Sequence, residues 1–146
     1  MSKIARMSLC VLLSVALVLS ACGWTGGAVA AEETAVQPRY SYTNYTTTDL
    51  TFSSGNIANC KNFVKGYYGT TTKIKTQMYL QQYLALQWTI IAAWESTTDH
   101  YYADMVKTKT LTSSGNYRVK VVATVYSGSA SEQLTLYSPE RYFTRT

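Results

Sequence analysis

Few residues of this 146-residue chain have side chains suited to act on a substrate, and their spacing works against them. There is one histidine, His100, next to Asp99 and four positions before Asp104. A general base needs its orienting carboxylate within hydrogen-bond reach. On a strand, adjacent side chains face opposite ways, and residues four apart share a face but stand about 13 Å apart at a rise of ~3.3 Å per residue. Neither aspartate therefore makes a dyad with His100. Glu32 with Glu33, and Glu95 with Asp99, are no better as a pair of glycosidase carboxylates, and the second pair flanks one polar turn that its charges solvate. No nucleophile elbow, phosphate-cradling glycine loop or metal-ligand spacing occurs. The chain is read as noncatalytic, with no metal and no cofactor, and a small hydrolase acting through His100 is the remote alternative.

The remaining candidates are aromatic. Thirteen tyrosines all follow residue 31. Tyr67 and Tyr68 fall in a glycine-punctuated loop, Tyr79 and Tyr83 lie on the polar face of a strand, and Tyr101 and Tyr102 are adjacent, so that one of the two must face outward. Exposed rings offer large contact area at little entropic cost, and they can anchor a protein partner or stack on a sugar. Gln77, Gln81 and Gln82 would serve as polar partners for a glycan. Tyrosine is also a good strand former that ends half exposed with no ligand at all, so the rings alone assign nothing. The candidate binding residues are Tyr67, Tyr68, Tyr79, Tyr83 and Tyr101, and the expected partner is an unidentified extracellular protein or, alternatively, a glycan.

The segment ahead of these residues is an address. Lys3 and Arg6 precede an uncharged, mostly apolar run over residues 7–21, and small residues follow at 26–31. This is the layout of a secretory signal, and the run is shorter than the ~20 residues of a membrane-spanning helix. Residues 1–31 are read as the signal, 32–49 as a polar leader and 50–143 as the folded domain. Two cutting signals overlap. "LSAC" at 19–22 fits a lipobox that would acylate Cys22, and "AVAAEE" at 28–33 offers the small-x-small spacing of a releasing cut. Release into the medium is read ahead of a lipid anchor on the outer face of the membrane, and any membrane contact would be through a lipid on Cys22. After residue 31, eleven Lys and Arg stand against eight Asp and Glu, scattered along the chain. That mild excess forms no basic stripe, which excludes nucleic acid as a partner. Cys10 and Cys22 belong to the export segment, so a chain released after residue 30 or 31 keeps Cys60 alone and has no internal disulfide.

Strand periodicity dominates from Leu50 onward. "DLTF" sets Leu50 and Phe52 on one face; "IANCKNFVK" sets Ala58, Cys60, Asn62 and Val64 on one side; "KIKTQMYLQQY" sets Ile74, Thr76, Met78 and Leu80 inward. This period of two marks half-buried strands. "LALQWTIIAAW" tempts a helix assignment, but is read as a hairpin with Trp88, Ile90, Ala92 and Trp94 on one face, although its "LALQ" turn lacks Gly or Asn. "HYYADMVKTKTL", "YRVKVVATVY" and "EQLTLYS" continue the pattern, separated by "SSGN" and "SGSAS" turns. About seven strands at roughly ten-residue spacing predict an all-β, antiparallel, immunoglobulin-like sandwich. "SGNYRV" fits a tyrosine corner with Tyr117 as its tyrosine. Two residues later stands Val119 rather than the cysteine of antibody domains, and Cys60 on the second strand is left as an unpaired, inward-facing thiol.

From Leu50 to about Tyr142 the chain resembles a family of small exported proteins of Gram-positive bacteria that share a domain with no assigned function. "GYYGTTTKI" at 66–74, "MYLQQY" at 78–83, Trp88 and Trp94, "SGNYRVKV" at 114–121 and "YSG" at 126–128 carry the resemblance. It implies export and a β-sandwich, and no activity or site residues. The chain departs from the family look at "LALQ", where a Gly-rich or Asn-rich turn is usual, and at Asn62, where a small apolar residue is usual.

Overall fold

The structure, a computed structural model, describes residues 40–146. The residues read as an export segment with two cutting signals, Cys22 among them, lie outside the described residues. Eight strands follow in order: β1 Thr43–Ser53, β2 Ile57–Gly66, β3 Lys73–Leu84, β4 Gln87–Thr98, β5 Tyr102–Thr110, β6 Gly115–Ser127, β7 Ala130–Tyr137 and β8 Arg141–Phe143. They form two antiparallel sheets, one ordered β1-β2-β5 and the other β4-β3-β6-β7, with β8 pairing the first residues of β6. This is the expected immunoglobulin-like sandwich, with the fourth strand paired to the third. No helix occurs among the described residues.

Alternation places the core. Ala58, Cys60, Asn62 and Val64 of β2, Ile74, Thr76, Met78 and Leu80 of β3, and Tyr117, Val119, Val121, Ala123 and Val125 of β6 are buried between the sheets. Each fully buried Leu, Ile, Val or Met contributes about 2 kcal/mol by leaving water. The tyrosine corner is present: the Tyr117 hydroxyl donates to the Ser113 carbonyl at 2.6 Å. Cys60 is buried and free, and desolvation raises its thiol pKa from 9.0 to about 12. Asn62 donates to the Thr47 carbonyl and the Thr48 hydroxyl at 3.1 and 2.9 Å, while its Oδ1 and the Thr76 hydroxyl are buried without a partner among the described residues.

Three features depart from expectation. First, β1 begins at Thr43, inside the stretch read as leader, and Tyr40 and Tyr42 pack against the core. The alternation of Tyr40, Tyr42 and Tyr45 in "YSYTNY" hints at a short edge strand, but "TTT" after it carries no apolar alternation to extend it. Its start is fixed instead by Glu132 of β7, which accepts hydrogen bonds from the Ser41 and Tyr42 amides and the Thr43 hydroxyl at 2.7, 2.9 and 2.7 Å. Second, the chain pairs again after Pro139. Proline lacks an N–H for the ladder, and Ser138 bridges the break by donating its amide to the Val119 carbonyl and accepting the Val119 amide, each at 2.9 Å. β8 then delivers Phe143 to a core cluster with Phe52 and Tyr117, centroids 5.0 and 6.1 Å away.

Third, the expected single face of β4 is split. Leu80 pairs Ala92 but Gln81 pairs Ile90, so Ile91 is an extra residue on β4. A bulge of this kind reverses the facing of every side chain beyond it. Ala92 and Trp94 pack on the core, while Trp88 and Ile90 turn to the outer face of the sheet. The β3–β4 connection is the hairpin expected, closed by Ala85 and Leu86 at φ 47° and 66°. Two central residues at positive φ are what a type I′ turn requires, and Asn-Gly is the usual means of supplying them. On the outermost strand β5, Lys107 and Lys109 sit opposite Cys60 and Ala58, and so on the core side, yet both remain exposed.

Candidate functional site

The strand register gathers side chains on the outer face of the β4-β3-β6-β7 sheet. Residues paired across neighbouring strands share a face. Tyr83 pairs Trp88, Gln81 pairs both Ile90 and Arg118, and Tyr79 pairs both Ala93 and Lys120, which in turn pairs Tyr137. All of these lie opposite the core positions and therefore face outward. Tyr83 and Trp88 pack with ring centroids 5.2 Å apart. The Arg118 guanidinium carbon lies 4.1 Å from the Trp88 ring centroid and 4.5 Å from that of Tyr137, and its Nε donates to Gln81 Oε1 at 2.9 Å. Gln81 is only 6 % exposed although it faces outward, because Arg118 and its neighbours form a second packed layer over it.

Beside this layer, Tyr83, Trp88, Asn116 and Glu140 line a cleft of about 290 Å³. Further down the sheet, Gln77, Tyr79, Ala93, Trp94 and Glu95 line a shallower one of about 170 Å³. Glu95 is held there by Lys75 at 2.9 Å and by Gln77 at 3.3 Å. Hydrogen bonding to Lys75, first, and to Gln77 lowers the Glu95 pKa, and the Glu95 hydrogen bond raises that of Lys75. The face carries Lys73, Lys75, Arg118 and Lys120 against Glu95 and Glu140, so cations predominate. Gln82, expected as a polar partner for a ligand, points the other way: it is buried and bonded to the Ser113 hydroxyl at 2.9 Å.

The other sequence candidates assemble at the opposite end of the strands. Tyr67 and Tyr68 lie in the β2–β3 loop and Tyr101 in the β4–β5 bend. Tyr68 meets Tyr101 edge-on at 5.3 Å, and Tyr101 meets Tyr102 the same way at 5.3 Å. Of the adjacent pair it is Tyr102 that is exposed, Tyr101 being half-buried between its two neighbours. The loop is tied to its surroundings by Thr71, whose hydroxyl donates to the Tyr42 carbonyl at 2.7 Å and accepts the Tyr67 amide at 3.2 Å. His100 is exposed and stacks on Tyr102 at 5.9 Å, with no hydrogen bond to Asp99 or Asp104 among the described residues. Among the described residues no group of three or more His, Cys, Asp or Glu is placed to hold a metal ion.

The structure thus brings Tyr79 and Tyr83 onto one sheet face and Tyr67, Tyr68 and Tyr101 into one loop cluster, and it does not join the two sets. Sequence reasoning missed Trp88 and Arg118 as members of the first. The signal for Arg118 was its outward place in "YRVKV"; that for Trp88 was concealed by the bulge.

Fold and surface together define an immunoglobulin-like sandwich with an aromatic, cation-rich sheet face. No family model and no curated protein matches the chain. Among solved structures it is similar to the CARDB domain of a Pyrococcus furiosus protein in complex with di-metal ions, with 15% identity, a TM-score of 0.40 and coverage of 68% of this chain and 89% of that one. A further likeness is to β-glucosidase 3B from Thermotoga neapolitana, solved with glycerol, with 17% identity, a TM-score of 0.34 and coverage of 69% of this chain and 17% of that one.

Proposed function

We propose that this protein is a noncatalytic extracellular binding module, and that the outer face of its β4-β3-β6-β7 sheet takes a saccharide chain. The observation that carries the reading is the row Tyr83, Trp88, Arg118 and Tyr137, fixed on adjacent strands over a packed core and bordering a cleft with polar walls. A sugar presents an apolar C–H face and a rim of hydroxyls. The first stacks on aromatic rings, and the second needs a few donors and acceptors, which the exposed side chains of Asn116 and Glu140 offer at the cleft. Placement outside the cell rests on the export segment, with release ahead of an anchor on Cys22. No catalytic group enters the reading.

A glycan array with the exported domain tests it. Saturable binding to a polysaccharide, lost in Trp88→Ala and Tyr83→Ala and retained in Tyr68→Ala, is expected. Absence of any glycan binding would sink it. A protein partner at the loop end is the second reading, favoured by Tyr68, which is 85 % exposed and braced edge-on by Tyr101. Binding lost in Tyr68→Ala and kept in Trp88→Ala would move the site there.

A further inference from the structure

Arg118 is held in a way that leaves one part of it free. Its two neighbouring rings, Trp88 and Tyr137, lie 4.1 and 4.5 Å from the guanidinium carbon, and Nε is taken by Gln81 at 2.9 Å. Aromatic contact and the Nε bond fix the plane of the group. The outer nitrogens Nη1 and Nη2 make no hydrogen bond among the described residues. Of the two ion pairs among the described residues, the one on this face joins Glu95 to Lys75, and the other joins Asp49 of β1 to Arg141 of β8. Ordering an arginine side chain costs conformational entropy, and here packing and Gln81 have met that cost before any ligand arrives. A guanidinium fork so presented matches the two oxygens of a carboxylate, which accept two parallel N–H bonds in the guanidinium plane.

The surroundings narrow the ligand. Lys120 stands two residues along β6 on the same face, adding positive charge. The adjacent cleft contains Glu140, which repels an anion, together with Asn116, Tyr83 and Trp88. A bare polyanion would therefore be favoured at Arg118 and opposed in the cleft. A chain that alternates neutral, hydroxyl-rich faces with carboxylates fits both.

We infer that the sheet face recognises a carboxylated saccharide, one sugar ring stacked in the Tyr83–Trp88 cleft with its hydroxyls on Asn116 and Glu140, and a carboxylate bound in the plane of Arg118. This rests on the saccharide reading above and adds the charge of the ligand. The test uses polygalacturonate, alginate and hyaluronate, each beside its methyl-esterified form, which keeps the backbone and removes the charge. Dextran sulfate serves as a bare polyanion. Binding of at least one carboxylated polymer, weakened tenfold or more by esterification, is expected. Arg118→Gln and Arg118→Lys should each weaken it tenfold or more, with thermal melting showing both variants folded. The lysine variant matters because it keeps the charge and loses the fork. Equal binding of acid and ester would overturn the inference and leave the saccharide reading standing. Binding of dextran sulfate as tight as that of the carboxylated polymers, undiminished in Arg118→Lys, would reduce the site to unspecific charge and overturn it. Binding of no polymer, acid or ester, would overturn both.

Discussion

Tyr83 and Tyr68 are both exposed phenols, but the chain holds them differently. Tyr83 sits on β3, which is hydrogen-bonded on both sides, over buried Leu80 and Gln82, and its ring packs against Trp88 on the neighbouring strand. Tyr68 sits at a loop tip whose position depends on Thr71 and on backbone bonds to Tyr42 and Tyr101. Rings on a paired sheet keep a fixed spacing, which suits a ligand with a repeat of its own. Rings on a loop keep theirs only while the loop does, and can adjust to an irregular protein surface. The same residue type thus has a different capability at each end, set by the backbone beneath it.

The comparison breaks most sharply at Gly66. A Cβ there would lie 2.6 and 2.7 Å from the Thr71 Cβ and Cγ2, so Gly66→Ala must displace the residue that ties the loop. A loss of about 3 kcal/mol in denaturant unfolding is expected, at the upper end of overpacking costs. The Tyr68–Tyr101 contact should loosen while Trp88 fluorescence in the native state stays as in the parent. An unchanged midpoint would show that the loop yields freely.

A smaller effect, of opposite sign, belongs to the sheet end. Ala85→Asn with Leu86→Gly puts residues that tolerate positive φ where the hairpin needs them, and should raise stability by about 1 kcal/mol. The check is the thermal midpoint; the Tyr83–Trp88 packing should not move, because the turn lies beyond that pair. A lowered midpoint would mean that the exposed Leu86 contributes packing the structure does not show.

The last effect, small at neutral pH, lies in the core common to both regions and depends on pH. The Cys60 pKa is raised on folding, from 9.0 to about 12. Below pH 9 the thiol is neutral in both states and its contribution is complete. Between about pH 9 and 12 the unfolded thiol ionises and the folded one does not, so stability falls as pH rises. Cys60→Ala should flatten that alkaline slope while lowering stability at pH 7 by about 1 kcal/mol. Equal slopes in parent and variant, from urea unfolding at stepped pH, would show that the thiol is reached by solvent. Consistent with its burial, Cys60 should label slowly until denaturant is added.

How far the sequence reveals all this depends on what kind of signal each element leaves. Period-two alternation marked the inner face of β2 from Ala58 to Val64 and that of β3 from Ile74 to Leu80, because burial between two sheets demands it, and missed Gln82 beyond them. β1 before Leu50 was legible only as a short edge strand from the alternating tyrosines of "YSYTNY"; its length was not, since "TTT" is polar on both faces and the start is held by Glu132, 89 to 91 residues away. The bulge at Ile91 escaped too. Neither Gly nor Pro marks it, and it sends Trp88 to the outer face of the sheet while Trp94 packs on the core. The tyrosine corner was legible because its hydrogen bond spans four residues. The Arg118 platform was not, because it joins four strands and exists only once their register is set.

The lysines on β5 have a consequence for how the molecule behaves in a crowd. An outermost strand offers a row of open amides and carbonyls to any copy that drifts alongside, and stacking of this kind seeds fibres. Lys107 and Lys109 place ammonium groups on the side of β5 that such a stack would have to close over. A second strand arriving there would have to strip water from those charges or push them against its own. The edge thus carries its own deterrent, and concentrated solutions should stay free of thioflavin-positive aggregates until those two positions are made apolar.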